Sequence, residues 1–343
     1  MESLWFVLIA VMVAAYVVLD GYDLGAGIVH LFVAKTEPER ALVLRSISPF
    51  WDGNEVWLLA AGGAIVLAFP LLYATAFSGF YLPLMLVLWL LIGRALSIEL
   101  RHQLHHPMWA TFWDRIFAVT STLLVVCFGA ALGNVVRGVP IDATGLFFLP
   151  LWGDEGRLGV LDGYTVLVGV AALAAIAMHG ALWVAFRLEG EVQARARRLA
   201  RWAAFAVAGL SAVVTFVTFR IQPHVPDRMA SQPWIYGCAA LAVAGLVGVH
   251  LFLRRSQDGR AFVASALYLV GMLTSAVFGL YPYVLPATTG ADRTLTVTNA
   301  ASGEVAMRTG LLWFFPGILL AIGYQVFAYR HLRGKVTDAS EAY

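Results

Sequence analysis

Charge is what this sequence has least of. Of its 343 residues only 13% are charged, against 60% hydrophobic, and the mean hydropathy is +0.78. A water-soluble chain of this length carries about twice that charge fraction. The net charge of +2 leaves no electrostatic footprint for nucleic acid, so no nucleic-acid partner is expected. Cysteine is nearly missing. Cys127 and Cys238 both lie inside apolar runs, which excludes a disulfide scaffold, a CxxC motif and a cysteine-ligated cluster. The first apolar run is preceded by Glu2 and by no Lys or Arg, so it lacks the basic region of a signal peptide and reads as a retained span. There is no phosphate loop, nucleophile elbow or dinucleotide fingerprint to support a soluble-type enzyme.

What the sequence does have is a series of apolar runs of membrane-spanning length. They fall at about 4–33, 55–74, 78–98, 116–136, 160–187, 202–221, 234–253, 261–281 and 309–330. The fold class is therefore an all-α integral membrane protein, a single membrane domain over 1–343 with nine transmembrane helices. The connections after the first, third, fifth and seventh runs, with the C-terminal tail, hold 17 of the 23 Lys and Arg, and the opposite side keeps six. The positive-inside rule then puts the N-terminus outside and the C-terminus in the cytoplasm. A near-absent connection at Ala74–Phe77 predicts a tight hairpin, and Thr294–Thr298 alternates as a short extended segment on the membrane surface. Val18-Leu19-Asp20-Gly21-Tyr22 recurs as Val160-Leu161-Asp162-Gly163-Tyr164 at a different depth, by coincidence or old duplication.

Acidic residues in a bilayer cost about 2.5–3.5 kcal/mol each on insertion scales, so they mark the places to look for function. Asp20 and Asp23, three apart, share one helix face near the inner half of the first span. Asp52 and Glu55 open the second. They read either as a helix cap with its capping partner or as members of a cluster that takes up protons or binds cations. Glu99 with Arg101 and Asp114 with Arg115 read as interfacial ion pairs. His102, His105 and His106 read as a solvated loop, whereas His179 and His250 lie inside spans, as haem ligands or as interhelical hydrogen-bonding groups. No pattern demands a metal or haem in this chain. Spacing and topology alone leave two readings: a stand-alone proton- or cation-coupled transporter, or a subunit of a membrane redox complex.

Several motifs in order bear on that choice. Asp20-Gly21-Tyr22-Asp23-Leu24-Gly25 is followed by Trp51-Asp52-Gly53-Asn54-Glu55-Val56-Trp57 and Ala76-Phe77-Ser78-Gly79-Phe80-Tyr81-Leu82-Pro83. Later come Thr294-Leu295-Thr296-Val297-Thr298-Asn299-Ala300-Ala301 and Arg333-Gly334-Lys335-Val336. Together, over about 18–336, they resemble the signature of subunit II of cytochrome bd-type quinol oxidases.

The resemblance implies two four-helix groups plus one extra helix, in a multi-pass protein of a bacterial or archaeal-type cytoplasmic membrane. It implies a heterodimer whose larger partner, subunit I, carries two haems b and one haem d and the quinol-oxidising loop. The complex oxidises quinol, reduces dioxygen to water and takes protons from the cytoplasm. Some family members hold a structural quinone in subunit II, and a small accessory subunit is left open. No catalytic residue and no metal ligand is expected in this chain. A cytoplasmic proton route through the subunit is implied at Asp52, at Asp114 and, in some members, at a C-terminal tyrosine, here Tyr343. Glu55 stands where some relatives carry Gln, so its charge is not required. Asp20 and Asp23 either continue the route or contact the partner.

Overall fold

A computed structural model describes residues 1–104, 106–153, 156 and 158–336. His105 and Tyr343, both singled out above, lie outside the described residues.

The first apolar run forms one helix, α1 (Glu2–Val33), followed by a short helix, α2 (Glu37–Ile47), where the hydropathy shows only a connection. Thr36 and Glu39 start α2 as a capping pair, Glu39 accepting from the Thr36 N–H at 3.1 Å and the Lys35 N–H at 2.6 Å. The second run corrects the sequence reading. Instead of a span over 55–74 and a hairpin at Ala74–Phe77, helix α3 (Trp51–Ala68) ends at Phe69 and α4 (Pro70–Gly79) departs at 118° to it. Pro70 is the cause: it has no N–H to continue α3, but its fixed φ suits the first position of a new helix.

The remaining helices are α5 (Tyr81–Leu100), α6 (Pro107–Arg137), α7 (Gly163–Arg187), α8 (Gly190–Ile221), α9 (His224–Ser231), α10 (Ile235–Arg254), α11 (Asp258–Leu280) and α12 (Glu304–His331). Among the described residues eight helices are long and apolar enough to cross a membrane, or nine if α3 and α4 count as one broken span. Local chemistry fixes the starts. His106 Nδ1 accepts from Met108 N ahead of Pro107, and Asp162 caps α7 through Tyr164 N and Thr165 N, both at 2.9 Å.

Helix α1 is the axis of the molecule, packed on α3, α6, α7 and α11. It touches α7 backbone to backbone. A Cβ on Gly25 would lie 2.2 Å from the Ile176 carbonyl oxygen, and one on Gly180 would lie 2.0 Å from Gly25 C. Small residues at such crossings let dispersion replace the hydrophobic drive that lipid does not supply. Helix α12 packs on α3 and leaves most of its surface exposed.

Two different caps close the ends. At one, strands β1 (Tyr283–Leu285) and β2 (Leu295–Thr296) pair antiparallel, and Val139 N donates to Pro286 O at 2.9 Å. The extended segment expected at Thr294–Thr298 is thus a two-residue strand that has found a partner, which satisfies backbone groups a lone segment would expose. At the other end α2 meets the C-termini of α1 and α7. There Arg195 Nε donates to Val33 O at 2.6 Å and Val336 N to Arg187 O at 2.9 Å. The Leu-Asp-Gly-Tyr echo has no common structural role: Asp20 is internal to α1, while Asp162 is an N-cap paired with Arg137.

Candidate functional site

One face of α1 carries the polar interior. Positions 20, 23, 27 and 30 recur at helical spacing and meet α3, α5 and α6. Asp20 and Arg94 form a fully buried two-pronged pair: Nη1 donates to Oδ2 at 2.8 Å and Nη2 to Oδ1 at 2.6 Å. Arg94 Nη2 also lies 3.5 Å from Glu55 Oε2, which draws Glu55 into the same cluster. The sequence reading counts Arg94 among the cytoplasmic connection cations. It belongs instead to the interior of α5, because a buried Asp20 needs a fixed, planar counter-charge.

Asp23 is held differently. Asn54 Nδ2 donates to Asp23 Oδ2 and to Tyr22 Oη, each at 2.7 Å, and Asn54 Oδ1 accepts from Gln325 Nε2 at 2.6 Å. Tyr22 and Tyr329 share a short hydroxyl–hydroxyl hydrogen bond. Asn54 therefore joins α1, α3 and α12. Asp23 Oδ1 is buried with no partner among the described residues.

Two turns further along α1 is a second cluster. Asp114 Oδ1 accepts from Arg101 Nε at 2.7 Å and lies 3.0 Å from His30 Nε2, while Arg40 approaches Oδ2 at 3.6 Å. Arg101 reaches on to Glu37 at 3.4 Å. Asp114 and His30 are 1% and 0% exposed, which sets this pair apart from a surface ion pair. The expected pairs Asp114–Arg115 and Glu99–Arg101 do not form. Residues one or two apart on a helix point to different sides, and Arg101 is drawn to the buried carboxylate instead. At the edge of this cluster Glu39 pairs with Arg195. Burial alone would raise its carboxyl, but hydrogen bonds from the Lys35 and Thr36 N–H groups and from Arg195 outweigh that and hold it below the ordinary value.

The structure thus brings together Asp20, Asp23 and Glu55, and places Asp114 in the neighbouring cluster. Asp52 stands apart: it is exposed near the start of α3, and no hydrogen bond or ion pair joins it to another of the described residues. Phe50 is the N-cap and takes no side-chain bond, so the capping role weighed for Asp52 and Glu55 is not formed. Arg94, Asn54, His30 and Gln325 were not read from the sequence as site residues. A lone Arg within an apolar run and a His at the end of one were the signals available for two of them.

The histidines also decide how well this chain fits a haem. His179 uses both nitrogens, Nδ1 with Ser265 Oγ at 2.7 Å and Nε2 with Val18 O at 3.0 Å, and so joins α7, α11 and α1. His250 Nδ1 lies 3.0 Å from Leu246 O in its own helix, and His224 Nε2 3.1 Å from Tyr281 O. His30 Nδ1 has no partner, but α1 and α6 touch one turn away, where a Cβ on Gly27 would meet Ser121 Oγ at 2.2 Å. That contact leaves no slot for a macrocycle. His179, with both ring nitrogens in hydrogen bonds, does not fit an axial haem ligand.

The family model for cytochrome bd terminal oxidase subunit II matches residues 1–332. The chain is 31% identical to the cytochrome bd ubiquinol oxidase subunit 2 of Bacillus subtilis, over 98% of this chain and 97% of that one. It is 30% identical to a probable cytochrome oxidase subunit 2 of Haemophilus influenzae (98% and 95% covered) and 29% to the Escherichia coli cytochrome bd-I ubiquinol oxidase subunit 2 (98% and 95%). Its fold is similar to a chain in the structure of bd oxidase from Geobacillus thermodenitrificans, with a TM-score of 0.75 at 18% identity, over 96% of this chain and 98% of that one. The chain belongs to the cytochrome bd terminal oxidase subunit II family, and is a multi-pass membrane subunit of a quinol oxidase complex.

Proposed function

We propose that this chain is the non-haem subunit of a cytochrome bd-type oxidase that oxidises quinol and reduces dioxygen to water, and that it conducts protons from the cytoplasm. In this reading the two haems b and the haem d belong to a larger partner, subunit I, which this chain supports. The α2 end, rich in Lys and Arg, faces the cytoplasm, and the membrane is the cytoplasmic one.

The observation that carries the proton role is the contrast between Asp52 and its neighbours. Asp20, Asp23 and Glu55 are engaged by Arg94 and Asn54, whereas Asp52 on the same α3 turn is exposed and, among the described residues, unpaired. An exposed carboxylate beside groups that are pinned is suited to handing protons to a partner covering that face. Asp114 lies in the second cluster at the cytoplasmic end. The stand-alone transporter gains nothing, since the two Leu-Asp-Gly-Tyr copies do different jobs.

The test is Asp52→Asn in the complex purified through a tag on this chain. Retained haem absorbance with slowed oxygen consumption supports a relay. Loss of the haems makes Asp52 structural, and an unchanged rate removes it from the route.

A further inference from the structure

Helices α8 and α10 pack on each other, and two contacts fix their register. The Arg197 guanidinium donates twice to Asp258, the first residue of α11, at 2.7 and 2.6 Å. The Phe205 ring stands edge-on to His250 at 4.8 Å. As α8 advances from 197 to 205, the residue across from it falls back from 258 to 250, so the two helices run antiparallel. Arg201 and Arg254, each one turn from both contacts, are therefore placed opposite each other. Arg198, two turns before Phe205, lies on the same stripe of α8. All three arginines are exposed, and no carboxylate pairs with them among the described residues. Arg201 Nε donates to Arg197 O at 3.4 Å, while Asp258 is taken by Arg197. Glu191, the next acid along α8, is two turns before Arg198.

The depth of this cluster says what it meets. The 32 residues of α8 extend about 48 Å, against about 30 Å of hydrocarbon in a bilayer, so the helix projects beyond the apolar layer. Its apolar run begins at Trp202, which is 73% exposed at the level where Trp gathers in membrane proteins. On the membrane side of that level Phe205 and Val247 present exposed apolar surface. Cations at headgroup level above an apolar groove complement a molecule with an anionic head and hydrocarbon tails. We propose that the α8–α10 groove binds an anionic phospholipid, its phosphate held between Arg201 and Arg254 with Arg198 at the rim, and its acyl chains along Phe205 and Val247. The planar guanidinium fork suits this ligand, since it pairs with two phosphate oxygens at once. A protein partner would have to bring its own carboxylates into the groove, against the usual depletion of charge in interface cores, whereas the bilayer supplies the phosphate. The inference requires only that the chain spans a membrane, and is independent of proton conduction.

The experiment uses the oxidase complex, purified through a tag on this chain in mild detergent and stripped of lipid. It is titrated separately with phosphatidylglycerol, phosphatidylcholine and inorganic phosphate, with bound molecules counted by native mass spectrometry and the melting temperature recorded. Wild type is expected to hold phosphatidylglycerol more tightly than phosphatidylcholine and to melt higher with it. Arg201→Gln/Arg254→Gln is expected to hold one fewer tightly bound phosphatidylglycerol, weakened by about tenfold or more, and to lose that rise. Arg201→Lys/Arg254→Lys keeps the charges and recovers part of the binding. Arg115→Gln/Arg330→Gln, which removes two exposed arginines of other helices, is expected to bind as wild type. Equal phosphatidylglycerol binding by wild type and Arg201→Gln/Arg254→Gln overturns the site, as when the partner subunit covers the groove. Equal weakening by Arg115→Gln/Arg330→Gln reduces it to net charge, and equal binding of the two lipids reduces it to an apolar surface; either overturns the proposal. Inorganic phosphate that binds as tightly and raises the melting temperature as far makes it a free-anion site and overturns the lipid assignment.

Discussion

Arg94 on α5 and Asp20 on α1 meet as a two-pronged ion pair with neither residue exposed, 74 positions apart in sequence. Neither charge is tolerable alone at that depth, so each accounts for the other's position. The pair fastens α5, which otherwise packs chiefly on α6, to the central helix.

Removing one partner strands the other. Arg94→Leu is expected to destabilise the subunit by about 3–5 kcal/mol, the range for breaking a buried pair by one side. The double variant Arg94→Leu/Asp20→Leu is expected to recover part of that loss. Thermal unfolding of the detergent-solubilised complex measures both; equal losses in the single and double variants would contradict the pairing.

Asn54 donates to Asp23 Oδ2 and links α1 to α12 through Gln325. Asn54→Leu leaves a buried carboxylate with no donor and is expected to cost at least about 1–3 kcal/mol. Asn54→Ser, which keeps one donor, is expected to lose less. The order of their melting temperatures is the check.

The α1–α7 crossing has no room for a methyl group. Gly25→Ala would place Cβ 2.2 Å from Ile176 O and 2.7 Å from the Gly180 backbone, and is expected to destabilise by about 1–3 kcal/mol. Gly209→Ala in α8, where nothing lies within 4 Å, is expected to be neutral or to gain up to about 1 kcal/mol. Yields of assembled complex and thermal unfolding distinguish the two.

Glu39 gives a pH signature at the α2 end. Its folded-state ionisation is lowered by the Lys35 and Thr36 N–H groups and Arg195, against the opposing effect of burial. The stabilisation is therefore fully present above the ordinary carboxylate value near 4.5 and disappears as the pH falls through the lower folded value. Wild type is expected to be more stable than Glu39→Gln at neutral pH, with the gap closing on acidification. A gap that widens toward acid would reverse the assignment.

Much of this was legible in the sequence. Hydropathy marks the helices because lipid demands long apolar runs whose backbone is satisfied internally, whatever packs around them. It missed the break at Pro70, since a span that turns by 118° has the same mean hydropathy as one that does not. It missed α2, although Thr36 and Glu39 were a visible capping pattern. For the site, Asp20, Asp23, Asp52, Glu55 and Asp114 stood out because acidic residues are costly in an apolar setting. Their partners did not: that Asp114 takes Arg101 and His30, and not the adjacent Arg115, depends on which helix faces meet. Conversely, Asp20 and Asp162 share a local motif and no role, so the echo misled where packing decides.

The most direct test of the account is the rate of quinol-driven oxygen consumption by the tagged, purified complex carrying Asp52→Asn, with its reduced-minus-oxidised spectrum recorded on the same sample. The account predicts haem b and haem d bands equal to wild type, a co-purifying larger subunit, and a markedly slower rate. Wild-type turnover with the same spectrum would contradict Asp52 as the carrier of protons through this subunit, and a colourless chain purifying alone would contradict the complex itself.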